Sequence, residues 1–294
     1  MNKIIPLSFD PIFTGIFNDE KNIDIVENFL SLYLKVPIEK LRGKVIIKSR
    51  KLKSSARKER RKEIDLLVDI DGKKINIELN NNYYEGIRER NIVYICKVHG
   101  GQLKTSDNSY KNINNSVQIN LNRNKCNEKK LIDSYYIMNE NGKKLSEKLR
   151  IDLVDIAKAE EKEYNESDER LAKFLRALTS LSIEEIEKEL GEDVMEKESK
   201  EKLLDEVEKY NEDEEIVELY SNYSKTELEI NTFIEEIKEA KEELKQAKEE
   251  VEQAKEEAKL IKENIVKKML EDNLDNETIS KYTGLTIEKI EELK

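Results

Sequence analysis

The sequence predicts an α/β fold: a mixed sheet flanked by helices, followed by a helical region and a long coiled coil. Three patterns carry this reading. Residues 9–35 place apolar side chains at helical spacings, and residues 63–80 alternate apolar with polar on both sides of Asp71-Gly72. Residues 230–265 repeat an apolar residue every three and four positions. With 37% hydrophobic and 40% charged residues in 294, the chain is too polar for one compact globule, and some of it is expected to be extended helix.

In chain order, Phe9, Ile12, Phe13, Ile16, Phe17, Ile25, Val26, Phe29 and Leu30 belong to two amphipathic helices, broken between Asn18 and Asn22. Val45-Ile46-Ile47 is a short strand. EIDLLVDIDGKKINIELN, residues 63–80, is a hairpin whose Asp-Gly suits a two-residue turn. Ile70 then faces Lys73 and Asp65 lies opposite Glu78, with Glu63 opposite Asn80. One face carries Ile64, Leu66, Val68, Ile70, Ile75, Ile77 and Leu79; the other is polar and expected to be solvated. Residues 83–98 form a helix ended by Gly100-Gly101, and residues 104–116 are a loop. Val117 to Leu121 and Ser134 to Met138 are further strands. Residues 145–225 read as acidic helices. The expected units are a domain over 1–140, a helical region over 141–225, a coiled coil over 226–268 and a helical tail over 269–294. The tail forms two short helices around Thr283-Gly284-Leu285-Thr286.

In the heptads, Ile230 opens the core positions and Phe233 follows three residues later. Glu236, Glu243, Glu250 and Glu257 flank one side of this seam; Lys241, Lys248, Lys255 and Lys262 flank the other. Parallel pairing sets each Glu against a partner Lys, whereas antiparallel pairing sets like charge against like. A parallel homodimer through residues 230–265 is therefore expected, with a thin core because Ala240, Ala247 and Ala254 occupy seam positions.

The net charge of −11 averages two unlike parts. Residues 1–130 hold 26 Lys+Arg and 16 Asp+Glu, a net of +10; the remainder holds 27 and 48, a net of −21. Between Lys40 and Lys62 twelve cations face one acid, Glu59, so a polyanion is expected to meet the first part of the chain. Arg57, Lys58, Arg60 and Arg61, with Arg88 and Arg90 on the later helix, are the candidate contacts to DNA. Two cysteines rule out a disulfide framework, and no Cys/His spacing suggests zinc. No apolar run approaches a membrane span and MNKIIPLSFD lacks a signal-peptide core, so a cytoplasmic location is expected.

Directly opposed carboxylates destabilise a sheet unless something neutralises them. Acids on a solvated strand face need have no function, but a divalent cation shared by Asp65 and Glu78 would offset their repulsion, and oxygen ligands suit Mg²⁺. The adjoining basic run makes phosphodiester cleavage the chemistry to expect.

An acid on one hairpin strand followed by Glu-x-Lys or a variant on the next resembles the PD-(D/E)XK nuclease pattern. The likeness is nearer to one branch, the Rpn-type recombination-promoting nuclease and transposase family. Asp10-Pro11-Ile12-Phe13 matches its opening Asp-x-x-Phe helix, and Ile75-Asn76-Ile77-Glu78-Leu79-Asn80 its I-x-IE-x-Q strand. Arg90 to Tyr94 matches its Arg-x-x-x-Tyr helix, with Gln102-Leu103 and Tyr110 next. The resemblance implies a restriction-endonuclease-like core and Mg²⁺- or Mn²⁺-dependent DNA cleavage, with Asp65 and Glu78 as metal ligands, Asn80 orienting water and Asp10 adding an acid. Asn80 departs from the pattern, because Gln or Lys usually stands there and Asn is one methylene shorter. Lys97 or Arg90 is the candidate source of the missing charge. The alternative is a DNA-binding or scaffolding protein that keeps the fold with weak turnover or none.

Overall fold

The computed structural model describes residues 3–50, 63–82, 86–103, 109–124, 126 and 130–293. They fall into two compact units, Met1–Ser221 and Asn222–Lys294.

The first unit opens with α1 (Asp10–Phe17) and α2 (Ile23–Leu34), the expected amphipathic pair. Phe13 stacks on Phe17 at 4.5 Å, and both are buried. A six-stranded sheet follows: β1 (Val45–Lys48), β2 (Leu66–Ile70), β3 (Lys73–Asn80), β4 (Ser116–Asn122), β5 (Ile132–Tyr135) and β6 (Leu149–Asp155). Its order is β1-β2-β3-β4-β6-β5. The outer pairs run antiparallel, while β3, β4 and β6 are parallel in the middle. The parallel step from β3 to β4 requires a crossover, which α3 (Ile87–Gly100) supplies.

The hairpin has the expected register: Ile70 pairs with Lys73 and Leu66 with Ile77. Asp71 and Gly72 both have positive φ, 50° and 85°, the conformation of a type I′ turn. A Cβ on Gly72 would run into the Asn114 amide, so glycine is required twice over there.

Three expectations fail. Residues 145–225 are not all helix: β6 lies within them, between β4 and β5, so the first unit extends well past residue 140. Only Leu153 and Val154 of β6 are apolar and buried, and its alternation carries Arg150, Asp152 and Asp155, so its short strand pattern was masked by the acidic helices around it. Nor is the polar hairpin face solvated. Asn76, Glu78 and Asn80 are 0%, 2% and 5% exposed, because α3 packs across β3, β4 and β6 on that side. Finally, the chain bends at Asp65, so Ile64 leaves the Leu66 face and joins Ile95, Val98, Leu67 and Ile151 beneath α3.

The opposite, apolar face turns toward α1, α2 and α5 (Glu169–Thr179), whose Phe174 lies 5.2 Å from Phe29 of α2. A deeply buried charge on it, Asp152 of β6, is paired with Arg150 at 2.8 Å and accepts from the Tyr33 hydroxyl of α2. This partnering is what a buried carboxylate requires. Between β6 and α5 lies α4 (Ile156–Glu161); α6 (Ile183–Glu189) and α7 (Lys197–Glu212) follow.

The last long element, α8 (Glu214–Glu271), has 58 residues and runs into the second unit. Ile230, Phe233, Ile237, Leu244, Val251, Ile261 and Ile265 form an exposed apolar stripe along it, Phe233 at 60%. At its end, α9 (Asn276–Thr283) and α10 (Ile287–Glu291) are the two expected tail helices, closing a small core of Val266, Ile279 and Ile290. No helix among the described residues is long and apolar enough to cross a membrane.

Candidate active site

The site is assembled where β3 ends. Alternation along β3 puts Asn76, Glu78 and Asn80 on the face beneath α3, and parallel pairing sets them beside Gln118, Asn120 and Asn122 of β4. The result is a buried layer of amides. Asn76 Nδ2 donates to Glu78 Oε1 at 3.0 Å and to Gln118 Oε1 at 2.8 Å; Gln118 Nε2 donates to Asn120 Oδ1 at 3.1 Å. Asn80 Nδ2 donates to Asn122 Oδ1 at 3.0 Å. Side chains in such a chain have few alternative rotamers, because each movement strands a buried polar group. Glu78 and Asn80 are thus held by their neighbours before any ligand arrives.

Asp65 precedes β2 at the bend. Its Oδ2 accepts from the Leu79 N–H at 2.8 Å, which ties the carboxylate to the strand bearing Glu78 and Asn80. Asn18, just past α1, fixes the bend from the other side by donating to the Asp65 carbonyl at 2.7 Å. Asp10, first residue of α1, accepts from Asn81 Nδ2 at 2.9 Å; the same Asn81 group donates to the Ser8 carbonyl. Pro11 at the start of α1 fits the first turn, where its missing N–H costs nothing.

These acids are short of positive charge. Burial, and then repulsion from Asp65, raises the Glu78 carboxyl well above its ordinary range. Burial raises Asp65 too, partly countered by the Leu79 N–H and by Arg50 and Arg90. Asp10 is lifted to about 6 by desolvation and, secondarily, by Asp65. Arg90 of α3 answers the deficit: its Nη2 donates to Asn80 Oδ1 and lies 3.9 Å from Glu78 Oε2. Of the two cations considered from the sequence, Arg90 is the one found here, braced over the Tyr94 ring at 5.5 Å.

Among the described residues no group of three or more acidic, histidine or cysteine side chains is gathered as a ready metal cage. The donor chemistry nevertheless fits a hard divalent cation: Asp65 and Glu78 offer two carboxylates close enough to repel, and Asn18 and Asn81, which contact Asp65 and Asp10, each carry a buried side-chain oxygen with no hydrogen-bond partner.

Other expected residues fall elsewhere. Glu63, expected opposite Asn80 in the cluster, is exposed and lines a neighbouring cleft with Asn18, Lys48 and Arg50. Arg88 is exposed and borders a small apolar cavity with Ile92, Tyr135 and Leu153. Arg57, Lys58, Arg60 and Arg61 lie outside the described residues. His99 ends α3 against the Ser116 hydroxyl at 2.9 Å, and Gln102 holds both the carbonyl and the N–H of Asn114. Both are structural contacts that seat α3 on β4. Sequence reasoning missed the amide layer, Asn81 and Asn18. Its signal was present in Gln118-Ile119-Asn120-Leu121-Asn122, a polar face built of amides with no Lys, Glu or Thr. Uncharged polar residues in that pattern suit a buried ladder better than a wet surface.

Comparison with known proteins gives the family. A family model described as PD-(D/E)XK nuclease family transposase matches residues 7–237. No curated protein and no solved structure matches the chain. The matched span contains α1, the acid-bearing hairpin, the amide-backed β4 and α3, and covers most of the sequence. The chain therefore belongs to the PD-(D/E)XK nuclease family transposases.

Proposed function

We propose that the protein is a metal-dependent endonuclease that hydrolyses DNA phosphodiester bonds, with Asp65, Glu78, Asn80 and Asp10 as its catalytic residues. The observation that carries this reading is the convergence of two carboxylates at the end of β3: Asp65 accepts from the N–H of Leu79, next to Glu78, while Asn76 donates to Glu78 itself. Asp65 and Glu78 would hold Mg²⁺ or Mn²⁺, which when bound polarises a phosphoryl oxygen and acidifies water. Asp10 adds a third carboxylate from α1. Asn80 can orient the attacking water through the amide hydrogen that Asn122 leaves it. Neutralising either acid of the metal-binding pair should sharply slow turnover without unfolding the protein, since both acids are desolvated in the native state. With supercoiled plasmid and Mg²⁺, wild type is expected to nick and linearise DNA, and Asp65→Ala to be slower by about 100-fold.

A second reading has its own support: the Asn80 amide is engaged at both ends, by Asn122 and Arg90. A site so committed suits a DNA-binding protein with little or no turnover. Salt-sensitive DNA binding without cleavage in the same assay would favour it. In either reading Arg57, Lys58, Arg60, Arg61, Arg88 and Arg90 are proposed to meet the DNA, and neutralising the first four should flatten the salt dependence of binding.

The stripe on α8 is proposed to pair with a second copy in parallel, presenting two sites to a duplex. Changing Lys241, Lys248, Lys255 and Lys262 to Glu makes every flanking contact repulsive and should shift sedimentation of the full chain toward the monomer.

A further inference from the structure

The third position of the nuclease motif is served by two residues on different elements. Asn80 at the end of β3 is neutral and short. Arg90, one turn into α3, brings a guanidinium to it: Nη2 donates to Asn80 Oδ1 while standing 3.9 Å from Glu78 Oε2. Asn80 is itself held, its Nδ2 donating to Asn122 Oδ1 at 3.0 Å. Asn122 in turn donates to the Asn120 carbonyl at 3.0 Å, so the chain of contacts is anchored in the middle of the sheet. The Arg90 side chain keeps 31% of its surface exposed although its partner Glu78 is buried, so it spans the boundary between site and solvent. The Tyr94 ring supports it from the next turn.

We infer that Arg90 is the catalytic cation of this site, contacting the scissile phosphate, and that Asn80, beyond its proposed role toward water, positions it. The inference rests on the nuclease reading above and adds to it who supplies the positive charge. A guanidinium suits the task, because its planar fork of donors matches phosphoryl oxygens. The same charge has a second effect. Standing next to Glu78, Arg90 competes with a divalent cation for that carboxylate, so the resting site is partly neutralised from within. Removing Arg90 should therefore weaken chemistry and strengthen metal binding, opposite signs that loss of a merely structural contact would not give.

The test compares full-length wild type, Arg90→Gln, Arg90→Lys and the double variant Arg90→Gln/Asn80→Lys. Two quantities are read: plasmid cleavage in Mg²⁺, and the Mn²⁺ concentration giving half the maximal thermal shift without DNA. Arg90→Gln is expected to cleave about 100-fold more slowly and to reach its Mn²⁺ midpoint at a several-fold lower concentration. Arg90→Lys should stay within about tenfold of wild type in cleavage, since it keeps the charge. The double variant, with the cation returned to β3, should recover at least tenfold over Arg90→Gln. Cleavage by Arg90→Gln at the wild-type rate, a double variant no faster than Arg90→Gln, or an unchanged or higher Mn²⁺ midpoint overturns the inference. If wild type itself does not cleave, the nuclease reading fails separately, and the midpoint alone decides whether Arg90 is the internal cation. Arg90→Ala replaces Arg90→Gln should the latter not fold.

Discussion

The two faces of β3 and β4 come from alternate residues of the same strands and are buried alike, yet one is apolar and the other is mostly amide. Ile75, Ile77, Leu79, Val117, Ile119 and Leu121 line the first; Asn76, Glu78, Asn80, Gln118, Asn120 and Asn122 line the second. The apolar face contributes through area removed from water, which has no preferred direction and tolerates small shifts. The amide face contributes little net stability, because each hydrogen bond replaces one to water. What it provides is direction: Asn76 aims Glu78, and Asn122 holds Asn80. The comparison teaches that burial on this sheet serves two ends, cohesion on one side and placement of charged groups on the other.

Substitutions on each face should separate the two roles. Ile119→Ala, at a fully buried position of the apolar face, is expected to cost about 2–5 kcal/mol in urea denaturation. It should leave the Mn²⁺ midpoint of the folded protein unchanged. Gln118→Leu keeps much of the volume but strands one hydrogen of Asn76 Nδ2 and the side-chain oxygen Asn120 Oδ1. It should cost roughly 1–3 kcal/mol and weaken Mn²⁺ binding, because Asn76, which orients Glu78, loses its own anchor. A neutral or stabilised Gln118→Leu with unaltered metal binding would dissolve the distinction between the faces.

The smallest effect concerns pH. Asp10 holds its proton more tightly in the folded state, where its carboxyl titrates near about 6, than in the unfolded chain. Folding is therefore penalised progressively as pH rises from the unfolded value of about 4 through 6. Asp10→Asn removes that penalty: without metal it should stabilise the protein at pH 7.5 by about 1 kcal/mol, allowing for partial solvent screening, and do nothing at pH 4. Calorimetry at the two values checks the sign. Ile119→Ala should show no such pH dependence.

Much of this was legible in the sequence. The Asp-Gly turn, the period of two and the helical spacing around Phe13 depend on local rules, so the hairpin register and the first helices follow directly. The expected register brings Asp65 toward Glu78, although the paired strands stop at Leu66 and Ile77 and Asp65 sits at a bend held by the Leu79 N–H. What escaped was decided by distant packing. The amide face looked solvated because alternation says which residues share a side but not whether a helix such as α3 covers it. The bend at Asp65 returned Ile64 to the opposite face, a change of one residue that no periodicity shows. Strand β6 was hidden in an acidic stretch, and only its parallel pairing with β4 makes it part of the sheet. The choice of Arg90 over Lys97 needed the crossing of α3 over the end of β3.

The central claim is that the opposed carboxylates form a cation site on the amide face. It is tested most directly by Mn²⁺ thermal shift on wild type, Asp65→Asn and Glu78→Gln, measured at pH 8 without DNA. Wild type should gain several degrees at saturating Mn²⁺, and each variant should lose most of that gain while being at least as stable as wild type without metal, since each removes a desolvated, repelled charge. Equal shifts in all three proteins would contradict the account.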